Sequence, residues 1–263
     1  SQASEKLQAH IGVCTNANNA TILAPHGYSY IEEGVSNLLM PLKSDEEFNE
    51  KLILVRQGPL PVIACNGFIP GNLKSVGPNA DHTKILAYVE TTFRRAQMVG
   101  VGIIVFGSGG SRSIPEGFSR EEARNQFIQL CKAIGPLAQR YNVTVVLEPL
   151  NKSEVNFINS VVEGGQIVEE VAHPNFMLLA DIYHMLKEGE GPESITKYQH
   201  LIKHVHVAEH QDRAVPGTFD EDLSPFYAAL QKVGYQGMIS IEGRWADMEQ
   251  QAEKAIKVMK SQF

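Results

Sequence analysis

The sequence predicts a single α/β domain, a (β/α)8 (TIM) barrel spanning residues 1–263, on three observations. Short apolar runs rich in β-branched residues alternate with longer amphipathic segments, a pattern typical of parallel strands joined by helices. Eight such units can be counted, and eight strands close a barrel. The chain length of 263 residues also suits one barrel, which needs roughly 250 residues.

The predicted strands are mostly continuous apolar runs, as expected for strands that are covered on both faces. They span residues 11–15, 28–34, 61–65, 102–106, 143–147, 176–180, 202–207 and 238–241. The clearest amphipathic helices are predicted at residues 83–99, 121–140, 158–172, 223–233 and 248–259. Loops rich in Gly, Asn and Pro follow the strands, and in such a barrel these loops all lie on the face that carries active sites.

Composition excludes several classes of protein. The net charge of -7 disfavours a duplex nucleic-acid binder, which needs clustered Lys and Arg. No run approaches the roughly 20 apolar residues of a membrane span. Cys14, Cys65 and Cys131 match no zinc or redox spacing and are interpreted as structural thiols. The polar start of the chain predicts a cytoplasmic protein or a mature periplasmic form whose signal has been removed.

Four late strands end in residues that can bind a metal. Glu148, Asp181 and Glu242 each follow an apolar run directly, and His206 lies within the seventh strand. Three buried carboxylates converging on one imidazole would repel one another, and a divalent cation removes that cost. Because the donors are mainly oxygen atoms, Mn²⁺ suits the set best, with Mg²⁺ and Co²⁺ next and Zn²⁺ less well suited.

Each residue also has a simpler interpretation. A single carboxylate at a strand end is more often a loop cap or an ion-pair partner, and His206 alone would more often be a buried structural histidine. His204 lies on the same face of the strand and competes for the ligand role. The occurrence of such groups on four successive strands favours one shared metal site.

The motifs around these residues resemble the xylose-isomerase-like barrel superfamily of sugar isomerases and epimerases, above all its ketose 3-epimerase and hydroxypyruvate isomerase branch. The matching segments, clearest from residue 101 onward, are Leu147-Glu148-Pro149-Leu150-Asn151 with Glu154, Asp181-Ile182-Tyr183-His184, His204-Val205-His206-Val207-Ala208-Glu209, residues 213–217, Ile241-Glu242, and residues 106–112 with 115–117.

The resemblance implies a role for each of these residues. The four metal ligands would be Glu148, Asp181, His206 and Glu242. The first and the last of them would also form the proton-transfer pair. Three further residues would contact substrate oxygens: Glu154, His184 and Arg213. Against the epimerase pattern that the chain resembles, it has one more residue between Glu209 and Arg213, so this segment departs from the pattern.

The implied reaction moves a proton on the carbon next to a carbonyl, through an enediolate that the metal stabilises. Return of the proton to the opposite face gives an epimerase, and return to the neighbouring carbon gives an aldose–ketose isomerase. The expected partner is a small carbohydrate or hydroxy-carbonyl compound, with no nucleic acid or membrane, and a homo-oligomer is left open. A dehydratase or lyase of the same superfamily is the main alternative.

A phosphodiesterase like the apurinic-site endonucleases is less favoured, since the early strand ends offer Asn16, Asn66 and Ser108 in place of His or Glu. Substrate specificity is expected to reside in the loops after the early strands, which include residues 16–19, 32–34 and 66–72. Arg112 is expected to form a salt bridge with Glu116.

Overall fold

The computed structural model describes residues 6–263, and it contains the predicted closed barrel of eight parallel strands. The strands are β1 His10–Cys14, β2 Tyr30–Gly34, β3 Val62–Asn66, β4 Ile103–Phe106, β5 Thr144–Leu147, β6 Phe176–Asp181, β7 Ile202–Val207 and β8 Met238–Ile241. Every strand end lies within two residues of its predicted position, so the predicted fold class is confirmed.

Pairing of the first and last strands closes the barrel. Gly12 of β1 is in register with Ser240 of β8, and each of the other strands pairs with its neighbours in chain order. All pairs are parallel, so the carboxyl ends of the eight strands lie at one rim. Residues at the strand ends therefore face a common space, as the sequence predicts.

Helices surround the strands and cover their outer faces. They are α1 Ala20–Leu23, α2 Val35–Leu38, α3 Asp45–Arg56, α4 His82–Val99, α5 Gly109–Arg112, α6 Arg120–Arg140, α7 Val161–Val171, α8 Ile182–Lys187, α9 Glu193–Lys197, α10 Ser224–Lys232 and α11 Met248–Gln262. The five predicted amphipathic helices are all present, with ends within three residues of prediction. Within residues 6–263, no helix has both the length and the apolar character needed to cross a bilayer.

The inside of the barrel is divided into an apolar part and a polar part. Val105, Val146 and Leu179 form a small interior cluster separate from the main core between strands and helices. On the other side of the barrel, Tyr30 reaches across to the Ser240 hydroxyl at 2.6 Å. A Cβ at Gly12 would lie 2.4 Å from the Tyr30 ring, so the glycine provides the space for this tyrosine.

Candidate metal centre

Four side chains from β5 to β8 meet at the carboxyl-terminal rim, and we call them the strand-end cluster: Glu148, Asp181, His206 and Glu242. Glu148 directly follows β5, and its amide donates to the Phe106 carbonyl at 2.9 Å, which extends the sheet ladder. Glu242 directly follows β8, and its amide donates to the Val207 carbonyl at 3.0 Å. The sheet itself therefore fixes the backbone at the two outer members of the cluster.

The imidazole of His206 lies at the centre of this cluster. Its Nδ1 is 2.5 Å from Glu242 Oε2, 3.0 Å from Glu148 Oε2 and 3.6 Å from Asp181 Oδ2. One ligand atom from each of the four residues lies within 4.8 Å of every other. The sequence thus predicted correctly that these four side chains come together.

The oxygen atoms of the cluster fit a divalent cation. Asp181 Oδ2 and Glu242 Oε2 are buried and make no hydrogen bond of normal geometry, although His206 Nδ1 lies 3.6 Å and 2.5 Å from them. Buried carboxylate oxygens without a donor are costly unless a cation is bound to them. Asp181 Oδ1, in contrast, accepts from the His184 amide at 3.0 Å and so caps α8. The cap fixes the rotamer that directs the second oxygen into the cluster.

Burial and the charges within the cluster shift the pKa values of its members. Burial raises the pKa of Glu148 well above its usual value, and the Glu242 carboxylate adds to the rise. Burial lowers the pKa of His206, but the Glu32 and Glu242 carboxylates outweigh it, so this pKa lies well above the usual value. Burial raises the pKa of Asp181, yet His184 and His206 together bring it below the usual value. A bound cation would compensate the carboxylate charges.

The three residues expected to bind substrate lie beside the strand-end cluster. His184 Nε2 is 3.4 Å from Glu154 Oε2. Arg213 donates to Glu154 Oε1 at 3.3 Å and to Glu242 Oε1 at 3.2 Å. Its guanidinium carbon lies 4.6 Å from the centre of the Tyr183 ring. The space beside the candidate ligands is therefore lined by three polar side chains, those of Glu154, His184 and Arg213.

The loop before Arg213 places this residue at the site. Asp212 and Arg213 adopt φ values of 59° and 52°, which form a left-handed turn. The buried Glu209 carboxylate accepts from the amides of Gly217, Phe219 and Glu221 at 2.7–3.3 Å. The loop is thereby held with the Arg213 side chain directed at Glu242.

Glu32 is a site residue that the sequence analysis missed. Residues 32–34, which the sequence places both in the predicted strand 28–34 and in a specificity loop, belong to β2, and the Glu32 carboxylate is fully buried inside the barrel. The same signal that identified Glu148, a carboxylate directly after an apolar run, was present at Tyr30-Ile31-Glu32. The expectation that early strand ends lack glutamate was therefore wrong.

His204 and Cys14 also lie near the cluster. His204 Nε2 is 2.7 Å from Glu32 Oε1, so His204 faces Glu32 and is not one of the strand-end ligands. Cys14 Sγ lies 3.9 Å from His206 Nε2. Burial raises the pKa of the Cys14 thiol, and the Glu32 charge adds to this. All three cysteines are free, but Cys14 lines the site.

The expected salt bridge between Arg112 and Glu116 is wrong. The Arg112 guanidinium is fully buried and donates to the carbonyl oxygens of Phe157 and Ile158, both at 3.1 Å, and of Gly107. Burial lowers the pKa of Arg112 to about 10. A Cβ at Gly107 would lie 2.8 Å from Glu148 Oε1, so Arg112 positions a loop that must come close to a candidate ligand.

Two curated proteins are similar in sequence to about half of this chain. The chain is 28% identical to an L-ribulose 3-epimerase of Methylomonas sp. (strain DH-1) over 165 residues, covering 55% of this chain and 57% of the relative. It is 30% identical to a putative hydroxypyruvate isomerase of Mus musculus over 141 residues, half of each protein. The matches thus span about half the length of these curated relatives.

Similarity in structure extends over the whole chain. The apo form of the 3-keto-D-glucoside 4-epimerase YcjR of E. coli superposes with a TM-score of 0.80 at 19% identity, covering 97% of this chain and all of that one. The model of the xylose isomerase-like TIM barrel family matches residues 21–262. The chain therefore belongs to the xylose isomerase-like TIM barrel family.

Proposed function

We propose that this protein is a divalent-metal-dependent sugar isomerase or epimerase, which moves a proton on the carbon next to a carbonyl. The observation that carries the proposal is the convergence of the strand-end cluster within 4.8 Å, with two buried acidic oxygens that make no hydrogen bond of normal geometry. The epimerase and isomerase relatives support the same reaction class.

The proposed metal ligands are one oxygen each of Glu148, Asp181 and Glu242 together with Nδ1 of His206. When bound, a divalent cation supplies Lewis acidity toward a substrate carbonyl. Mn²⁺ is the proposed ion, with Mg²⁺ and Co²⁺ as alternatives, because three carboxylates and one imidazole without a thiolate match the preference of these ions.

Glu148 and Glu242 are proposed as the proton-transfer pair. Glu148 approaches His206 from β5, two strands away from β7, and Glu242 approaches it from the adjacent strand β8. Their oxygens lie 3.0 Å and 2.5 Å from its Nδ1. One carboxylate removes the proton from the substrate carbon and the other returns a proton, so inversion needs a carboxyl group on each face of the substrate. Arg213 holds Glu242 Oε1 at 3.2 Å and thereby fixes the orientation of that carboxylate.

Glu154, His184 and Arg213 are proposed to bind the substrate hydroxyls. The Glu154 side chain is 40% exposed and the Arg213 side chain 21%, so both remain accessible at the rim. His184 is almost fully buried, and its Nδ1 accepts from the Asn151 amide at 3.1 Å. This hydrogen bond places the proton on Nε2, which leaves Nε2 as a donor toward a substrate oxygen.

The test is proton exchange in deuterated water. The full chain, loaded with Mn²⁺, is incubated with L-ribulose, D-fructose and hydroxypyruvate, and products are followed by NMR. We expect deuterium on the carbon next to the carbonyl in at least one compound. An inverted centre identifies an epimerase, a moved carbonyl identifies an isomerase, and an unsaturated product identifies a dehydratase.

Matched variants complete this test. Glu148→Gln and Glu242→Gln should each abolish exchange, whereas Glu170→Gln, on the surface of α7, should leave it unchanged. Exchange that persists in both site variants, or that is absent from the metal-loaded unmodified protein with every compound, would contradict the proposal.

A further inference from the structure

The Glu32 carboxylate is surrounded by hydrogen-bond donors inside the barrel. Its Oε1 lies 2.7 Å from His204 Nε2 and 2.8 Å from the Ser240 hydroxyl. Its Oε2 lies 2.8 Å from His206 Nε2 and 2.9 Å from the Asn66 amide nitrogen. A charge that is fully buried and contacted by residues of three other strands has one fixed orientation.

The ring of His206 connects Glu32 to the strand-end cluster. Nδ1 faces the carboxylates of Glu148, Asp181 and Glu242, whereas Nε2 faces Glu32 from the opposite side of the ring. A neutral imidazole carries its proton on one nitrogen and a lone pair on the other. The carboxylate that accepts the Nε2 proton therefore determines which nitrogen can bind a cation.

We propose that Glu32 is a positioning residue, which holds His206 as the Nε2–H tautomer and so presents the Nδ1 lone pair to the cation. This inference rests on the metal site of the proposed function. The negative charge of Glu32 also makes the imidazole a stronger ligand, as carboxylate partners of metal-bound histidines generally do. His204, Ser240 and Asn66 keep the carboxylate in place.

Glu33 supplies the matched control. It follows Glu32 on the same strand, and its side chain is directed to the other side of the strand, where its oxygens accept from the amides of Ala17 at 2.7 Å and Gly34 at 2.9 Å. Both glutamates are buried, so Glu33→Gln and Glu32→Gln make the same chemical change in one strand. Of these two glutamates, only Glu32 contacts His206.

The first test is titration of chelator-treated full-length protein with MnCl₂ by calorimetry. Glu32→Gln should weaken Mn²⁺ binding about 10–100-fold, the usual effect of removing such a partner, and Glu33→Gln should leave the affinity within a factor of about two. Equal Mn²⁺ affinity of Glu32→Gln and the unmodified protein would overturn the proposal.

The second test needs no variant and so does not depend on whether Glu32→Gln folds. Long-range ¹H–¹⁵N NMR correlations of the unmodified protein with diamagnetic Mg²⁺ identify the protonated ring nitrogen of His206. A proton on Nε2 supports the proposal, and a proton on Nδ1 overturns it. Proton exchange with the sugars is scored separately: loss of exchange with metal binding and the tautomer intact would refute only the proposed reaction.

Discussion

Asp181 has two oxygens in different environments, which makes it the most informative of the proposed ligands to change. Oδ1 caps α8 and Oδ2 points unpartnered into the strand-end cluster. In Asp181→Asn the remaining oxygen can keep the cap, while the amide places a donor where a cation would bind. Mn²⁺ affinity measured by calorimetry should fall. The loss should exceed the roughly 10–100-fold effect of removing a residue that hydrogen-bonds to a metal ligand without contacting the metal itself.

The melting temperature of the metal-free Asp181→Asn variant separates this effect from a loss of folding. Since the cap is retained, the variant without metal should melt within a few degrees of the metal-free unmodified protein. A variant that binds Mn²⁺ normally would show that Asp181 is not a ligand.

Arg213 joins two carboxylates through two different nitrogen atoms, a planar fork that a lysine lacks. Its guanidinium contacts Glu154 and Glu242 and stacks over the Tyr183 ring. Loss of one charged hydrogen bond of this kind costs about 1.5–3 kcal/mol. In Arg213→Lys, kcat/KM should therefore fall roughly 10–100-fold, measured on whichever substrate shows exchange.

The control for Arg213 is Arg244→Lys, which makes the same chemical change. The Arg244 side chain is exposed, and its backbone pairs with Ala214 of the same loop. It should keep the kcat/KM of the unmodified protein. An unchanged kcat/KM in Arg213→Lys would show that Arg213 is a surface residue of the loop with no role in the reaction.

At the scale of elements, the loop between β7 and α10 depends on a buried charge. The Glu209 carboxylate accepts from three backbone amides, those of Gly217, Phe219 and Glu221. In Glu209→Gln one oxygen becomes a donor, and at least one buried amide loses its acceptor. The free energy of unfolding should fall by about 1–3 kcal/mol in urea titrations, together with kcat/KM, because Arg213 is carried by this loop.

Glu221→Gln is the matched control in the same loop. The Glu221 carboxylate accepts from the exposed His210 amide. Its removal should change stability by about 0.5 kcal/mol or less. If Glu209→Gln and Glu221→Gln were equally destabilised, the buried Glu209 carboxylate would have no special role in holding the loop.

The elements could be predicted because strands and helices differ in hydrophobic period along this chain. Strands β4, β5, β6 and β8 read mainly as apolar runs, and the carboxylates at the ends of β5, β6 and β8 mark the rim. Contacts between side chains that are far apart along the chain are harder to predict from one sequence. Glu32 was missed because its partners, His204 and His206, are 172 and 174 residues away along the chain.

At the scale of the whole molecule, the prediction of one domain for residues 1–263 can be tested through the closure of the barrel. The pairing of β1 with β8 joins the two ends of the described chain, and each intermediate strand contacts two neighbours. Limited proteolysis should therefore yield no stable half-barrel fragment. A protease-resistant fragment ending between β4 and β5 would show that the two halves fold separately.

The metal should stabilise the barrel as a whole, because its proposed ligands come from the four consecutive strands β5 to β8. A ligand at 100 times its Kd stabilises the folded state by about 2.7 kcal/mol. For a domain of about this size that corresponds to a rise in melting temperature of roughly 5–10 °C, measured by calorimetry with Mn²⁺ against EDTA. Hydrogen exchange should slow most at the rim of β5 to β8, where the ligands lie. The Asp181→Asn variant should show neither the rise nor the added protection, and an equal rise in that variant would place the stabilising ion elsewhere.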